Sequence, residues 1–436
     1  MNAAQTANLL AVVSMSGYLY SARDGSFAPI LEADMPRKSA STPSSSPATK
    51  TINLALQGGG AHGAFAWGVL DRLLEDGRLS FEGISGTSAG SMNAVVLAHG
   101  MLKGGRDGAR TALGDFWQAV AKAGERYSLV KVSPWDRLKG NHWNNDDSLS
   151  FQAFKAMTNA YSPYQLNPTN FNPLRNILNE QIDFEALNRY EGQKLFLSAT
   201  NVQSGNVRIF QNPEITVDVV MASACLPFMY QAVEIGGHTY WDGGYMGNPA
   251  LFPLFYRTDA RDVLIVHINP IVRAGTPTTP HEIEDRVNEI SFNSALIKEL
   301  RAVAFVQKLI GDGWLKDEYR DQLKYVLIHS LRADDALSDL SAASKLCTDW
   351  SFLQILRDRG REAMSVWLDR HFDDVGKRQT VDLHAQFLDS GSEMRALKTI
   401  PHSMPKAPAK KRRVAVVPAK KRATVTTAAK SKRKST

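Results

Sequence analysis

The sequence predicts an α/β protein with a mostly parallel central sheet covered by helices, a helical elaboration toward the C terminus, and disordered ends. Three observations carry that expectation. From Ile52 onward, short apolar runs of strand length alternate with helical text. Two of those runs end in glycine-rich turns that open helices. The composition, 43% apolar and 22% charged over 436 residues, is that of a globular chain long enough to bury a large core, which excludes collagen, coiled coil and wholesale disorder.

Residues 1–50 read as a disordered or alternative-start leader. The apolar stretch Asn8 to Val13 has no Lys or Arg ahead of it, so a secretory signal is not expected. Met35 opens Ser/Thr/Pro-rich text and offers a second start. The core is expected over 51–272. It begins with a strand at Ile52 to Leu56, a turn through Gly58 to Gly63 and a helix from Ala64 to Leu74. A second strand, Phe81 to Ile84, precedes a sharp turn and a helix from Ser91 to His99. Further strands are expected at 194–200, 207–210, 262–268 and 324–329.

Residues 116–175 form an aromatic-rich insertion, with ten aromatics between Phe116 and Phe171. Pro163, Pro168 and Pro173 argue for irregular structure there. Most of these rings should be packing residues, while Trp135 and Trp143 could instead touch a lipid interface. Residues 273–400 are expected to be mainly helical, with amphipathic helices at 281–309 and 352–372.

The chemistry concentrates in three short motifs. Gly86-Thr87-Ser88-Ala89-Gly90 is a G-x-S-x-G between a strand and a helix, where small residues allow a nucleophile on a strained turn and the helix dipole faces the site. Gly58-Gly59-Gly60-Ala61-His62-Gly63 also fits G-x-G-x-x-G. A dinucleotide site would want an acidic residue closing the next strand, where Gly86-Thr87-Ser88 stands instead. Such a loop leaves backbone N–H groups bare, which suits an oxyanion hole. Trp241-Asp242-Gly243-Gly244 follows a β-like stretch, and its glycines let the Asp242 carboxylate approach another backbone closely and serve as a base.

In this order and context the motifs resemble the patatin-like phospholipase family, in the form of a bacterial-type acyl hydrolase, from about Ile52 to Pro253. Ala199-Thr200 with the Gly205 turn and Ala222-Ser223-Ala224-Cys225-Leu226-Pro227 extend the likeness. The resemblance implies a patatin-like three-layer fold and a lipid acyl hydrolase, phospholipase A-like or lysophospholipase-like, that works through a Ser-Asp dyad and an acyl-enzyme without metal or organic cofactor. Ser88 would be the nucleophile, Asp242 the base, and Gly58, Gly59 and Gly60 the oxyanion loop, with Gly63, Gly86, Gly90, Gly243 and Gly244 as motif glycines. Many family members carry Arg or Lys where this chain has His62, which puts cationic help to a bound phosphate in doubt.

Two alternatives stay open on the sequence. A Ser-His-Asp esterase would need a histidine after the acid, and His267, His281 and His329 are the candidates. A non-catalytic lipid-binding or scaffolding protein could keep the fold without using it. The two cysteines, Cys225 and Cys347, lack metal-ligand spacing, so no zinc site or disulfide framework is expected and a reducing compartment fits. No apolar run reaches membrane-spanning length, and the reading is a cytoplasmic protein, peripheral to a membrane at most.

Net charge is +7, yet Pro401 to Thr436 holds 12 Lys or Arg and no acid; without them 39 basic residues face 44 acidic ones, a balance of −5. The basicity therefore belongs to a disordered tail, residues 401–436. Lys410, Lys411, Arg412 and Arg413, followed by Lys420, Lys421 and Arg422, could meet anionic lipid or nucleic acid. The tail has no aromatic residue to stack on bases.

Overall fold

A mixed eight-stranded sheet lies at the centre of the computed structural model, which describes residues 49–128, 143, 148–273 and 275–388. Two short paired strands, Leu19–Tyr20 and Phe27–Ala28, are also described ahead of it. The rest of the leader, Trp135 and the basic tail lie outside the described residues.

The chain opens with β1 (Lys50–Leu56), α1 (Gly63–Asp76), β2 (Leu79–Gly86) and α2 (Ala89–Tyr127). Shorter helices follow: α3 (Leu149–Ala160), α4 (Pro163–Leu166), α5 (Pro173–Gln181) and α6 (Phe184–Arg189). Next come β3 (Lys194–Asn201), β4 (Val207–Gln211), α7 (Val217–Ser223), β5 (Val233–Ile235) and β6 (His238–Asp242). The remainder is α8 (Phe252–Tyr256), β7 (Asp262–His267), α9 (Pro280–Gly311), β8 (Leu327–Arg332) and α10 (Trp350–His371).

The strand order is β8-β7-β1-β2-β3-β6-β5, with β4 also on β3. From β8 to β3 the neighbours run parallel, and beyond β3 they run antiparallel. Alternation along β1 sends Ile52, Leu54 and Leu56 into one core with Phe65, Leu97 and Leu353, and Ala55 into a second with Ile265, Leu296 and Leu300. Helices therefore cover both faces, giving three layers. On the first face α10 is fastened to α1: Arg361 pairs with Asp71 and Glu75, and Arg72 Nε donates to Ser365 Oγ at 2.9 Å.

The register brings the strand ends together. Leu56 lies beside both Gly86 and Val266, Gly86 beside Leu197, and Asp242 beside Ala199. All three motifs therefore meet at the carboxyl edge. β1 is the point where the order turns outward in both directions, the crevice where open α/β sheets bind ligands.

Three elements differ from the sequence expectation. β8 begins at Leu327 because its register is set against Asp262, while Lys324 Nζ donates to the Thr258 carbonyl at 2.6 Å. The helix after the second turn continues to Tyr127 and breaks only at Gly104 and Gly105, so Phe116 and Trp117 are core residues of a helix rather than part of an irregular insertion. Pro163 and Pro173 sit at the first turns of α4 and α5, where the missing N–H costs no hydrogen bond.

Candidate active site

Ser88 occupies the turn between β2 and α2 at φ 53°, ψ −122°, a backbone conformation that side chains rarely adopt. Such strain persists only where the surroundings fix it. Here the Ser88 N–H donates to Ser223 Oγ at 3.0 Å, and Ser223 Oγ lies 2.7 Å from Ser91 Oγ. The preceding Thr87 and the Ser198 of β3 both donate to the Gly247 carbonyl, at 2.6 and 2.8 Å. The Ser88 turn is thereby tied to the segment that follows Asp242.

Asp242 ends β6 and is buried. Its N–H donates to the Cys225 carbonyl at 2.8 Å, and its Oδ1 accepts from the Gly244 N–H at 2.7 Å. Among the described residues Oδ2 has no partner of ordinary hydrogen-bond geometry, yet the Ser88 side chain still acts on the carboxyl. The Ser88 hydroxyl thus lies within influence of the Asp242 carboxyl without an ordinary hydrogen bond to Oδ2. Burial pushes the Asp242 pKa up to about 7, against the smaller downward pull of the Gly244 N–H and Ser88. A carboxylate poised there can take a proton near neutral pH.

The glycine loop closes the site from β1. A Cβ on Gly58 would stand 2.6 Å from Ser88 Cβ, so only glycine allows this approach. Gly60 has φ +58°, and a Cβ there would meet the Lys345 carbonyl oxygen at 2.5 Å. The Gly58 N–H is committed to Asn248 Oδ1 at 2.7 Å. This narrows the oxyanion set expected from the sequence, because the amides of Gly59 and Gly60 are the ones left to donate.

Beneath the loop lies a buried amide network. Gln57 Oε1 accepts from the N–H groups of Ile268 and Asn269 at 2.8 and 3.0 Å, and its Nε2 donates to Asn293 Oδ1 at 3.0 Å. Asn269 Nδ2 donates to the Gly58 carbonyl at 2.7 Å. Lys345 Nζ donates to Asn269 Oδ1 at 2.8 Å. Sequence reasoning gave no role to Ser223, Asn248, Asn269 or Lys345. Ser223 stood inside the Ala222 to Pro227 stretch already singled out, and Asn248, six residues beyond Asp242, and Asn269, just past an expected strand, also stood where local text could have drawn attention.

His62 is buried with Nε2 2.7 Å from Ser344 Oγ, and burial, then the charges of Lys345, Arg273 and Arg359, push its pKa down to about 3. It is a neutral packing group. His329 bonds Asp262 Oδ1 at 2.9 Å toward the amino edge of the sheet, away from Ser88. His267 closes β7, with its pKa lowered to about 3 by burial and Arg332, and His281 lies 3.6 Å from Asp285 on α9. Among the described residues, no histidine hydrogen-bonds Ser88 or Asp242. Burial and the Asp242 charge push the Cys225 thiol up to about 12, which makes it a poor nucleophile. Trp143 stacks on Phe352 with ring centroids 5.0 Å apart, a packing contact rather than an interfacial one.

No cluster of three metal-ligating side chains occurs among the described residues, and no described helix is long and apolar enough to cross a membrane. Residues 54–255 match the family model described as Patatin-like phospholipase. No curated protein matches the chain. Among solved structures, VipD from Legionella pneumophila is 16% identical, over 74% of this chain and 67% of that one, with a TM-score of 0.34. The type III effector ExoU is 15% identical over 74% of this chain, which spans only about half (53%) of that one, with a TM-score of 0.27. The ExoU-SpcU complex of Pseudomonas aeruginosa gives 18% identity over 77% and 73%, with a TM-score of 0.25.

Proposed function

Because this chain belongs, through residues 54–255, to the patatin-like phospholipase family and is a lipid ester hydrolase, we propose that it cleaves acyl esters of phospholipids or lysophospholipids with Ser88 as nucleophile and Asp242 as its base. The observation that carries this reading is the buried Asp242 carboxyl, raised to about 7 and facing Ser88, with no histidine bonded to either residue among those described. Ser88 Oγ attacks the ester carbonyl carbon while its proton passes to Asp242. The carbonyl electrons move onto oxygen, where the Gly59 and Gly60 N–H groups receive the negative charge. Collapse expels the alkoxide, which takes the proton from Asp242 and leaves an acyl-enzyme. Water then attacks the acyl carbon and gives a proton to Asp242, and Ser88 Oγ departs and regains it as the fatty acid is released.

Fluorophosphonate labelling of the wild type, Ser88→Ala and Asp242→Asn, followed by a phospholipid and lysophospholipid panel, tests the assignment. Ser88→Ala should take no label. Equal labelling of Ser88→Ala and wild type would remove the nucleophile assignment. The 12 basic residues of 401–436 further support a peripheral tether to an anionic membrane on its cytoplasmic face. Deleting them should weaken binding to phosphatidylglycerol vesicles and spare hydrolysis of a soluble ester. A truncation that binds duplex DNA less and vesicles unchanged would reassign the tail to nucleic acid.

A further inference from the structure

Lys345 comes from a segment far outside the family-matched residues, yet its backbone packs on Gly60 and its ammonium reaches Asn269, which holds the glycine loop. The contacts form one directed chain. Lys345 Nζ donates to Asn269 Oδ1 at 2.8 Å, and the other end of that amide, Nδ2, donates to the Gly58 carbonyl at 2.7 Å. The Gly58 carbonyl belongs to the same peptide unit as the Gly59 N–H. Hydrogen bonds in series polarise one another, and an amide whose carbonyl accepts from a charged relay becomes a stronger donor at its N–H. The preceding peptide is held as well, its Gly58 N–H donating to Asn248 Oδ1 at 2.7 Å.

A neutral donor would hold Asn269 equally well, whereas a half-buried ammonium costs desolvation. Nearby carboxylates do not neutralise it directly. Glu289 is engaged by Arg273 at 2.6 Å and Arg286 at 3.0 Å, and among the described residues Lys345 stands in no ion pair. Burial lowers the Lys345 pKa, while Glu289 and Asp285 oppose that shift. The Lys345 amino group thus lies one side-chain amide away from the loop that would receive the oxyanion.

We propose that Lys345 is a positioning residue for catalysis: acting through Asn269, its charge polarises the Gly58–Gly59 peptide and strengthens the Gly59 N–H as oxyanion donor. This rests on the Ser88 reading above. The effect belongs to the transition state, so it should appear in kcat and leave KM nearly untouched.

The experiment uses the full chain with a soluble short-chain p-nitrophenyl ester and an aliphatic trifluoromethyl ketone, whose serine adduct carries an oxyanion. Lys345→Met should lower kcat about tenfold and weaken the ketone by a similar factor, with KM nearly unchanged. Lys345→Arg should restore most of the loss. Asn269→Ala should resemble Lys345→Met, and the double variant should lose little more, since the two residues act in one chain. Thermal midpoints identify any variant that fails to fold, and Lys345→Arg keeps the test open if Lys345→Met does. Unchanged kcat in Lys345→Met, or a rise in KM alone, overturns the relay. If Ser88→Ala is inactive while Lys345→Met is unaffected, the relay is wrong and the nucleophile stands; an active Ser88→Ala removes the nucleophile itself.

Discussion

Two buried aspartates at opposite edges of the same sheet have been driven in opposite directions. Asp262, at the start of β7, accepts from His329 Nε2 at 2.9 Å and from the Gly376 N–H at 2.7 Å. Burial pushes its pKa up, but those two partners outweigh burial and the net pKa is lowered. Asp242, at the end of β6, has the Gly244 N–H on one oxygen and only the loosely placed Ser88 hydroxyl near the other, so burial wins and the pKa rises to about 7. A carboxylate with full partners is a strut, and one left short of partners in a dry site is a base in waiting.

The largest expected effect breaks the pair apart by function. Ser88→Ala and Asp242→Asn should each lower ester turnover by about a thousandfold or more, and the double variant should be no worse, because nucleophile and base act as one unit. Asp262→Asn should keep wild-type turnover per folded molecule. Steady-state hydrolysis with a check of folded content decides the matter: comparable losses in Asp242→Asn and Asp262→Asn would dissolve the distinction.

Next in size is the pH dependence. Asp242 must be ionised to accept a proton, so kcat should climb as pH rises through about 7 and level off above it. His267, with its pKa near 3, and His329, bound to Asp262, are not placed to give that limb. Replacing either by Gln should leave the pH profile where it is, measured with a soluble ester between pH 5 and 9, a range of about two units either side of the limb.

How much of this was legible in the sequence depends on whether the constraint was local. Gly58, Gly60, Ser88 and Asp242 could be read because each answers a backbone demand within a few residues: a turn, a close approach, a strand end. The strand-turn-helix rhythm was legible for the same reason. The partners that set the chemistry were not, since Asn269 reaches Gly58, Lys345 reaches Asn269 and His329 reaches Asp262 only through the register of the folded sheet. The extent of one helix was not legible: it was expected to stop at His99, whereas it runs on to Tyr127 and loses the helical conformation only at Gly104 and Gly105.

A smaller effect concerns the strut. Asp262→Asn leaves an amide oxygen but removes the charge to which His329 and the Gly376 N–H donate, and should cost about 1–3 kcal/mol at neutral pH. A lowered folded pKa contributes stability that is present above the unfolded value of about 4 and lost as pH falls through the lower folded value. The wild-type advantage over Asp262→Asn, followed by urea denaturation, should therefore hold at pH 7 and shrink below about pH 4.

The smallest effect is the mirror image at the active site. Asp242 has a folded pKa of about 7, above its unfolded value, so its contribution to stability is full below about pH 4 and is lost as pH rises to about 7. Asn cannot ionise and escapes that loss. It does bring an amide where Oδ2 stands, and the Ser88 hydroxyl is the acceptor at hand, so part of the gain is returned as an imperfect hydrogen bond. The net expectation is that Asp242→Asn is no more stable than wild type at pH 4, becomes more stable through pH 7, and keeps an advantage on the order of 1 kcal/mol at pH 8 while being inactive. Urea midpoints at the three pH values measure it. A variant less stable than wild type at pH 8 by as much as at pH 4 would mean that Asp242, like Asp262, is a strut, and that its elevated pKa had been misassigned to the site.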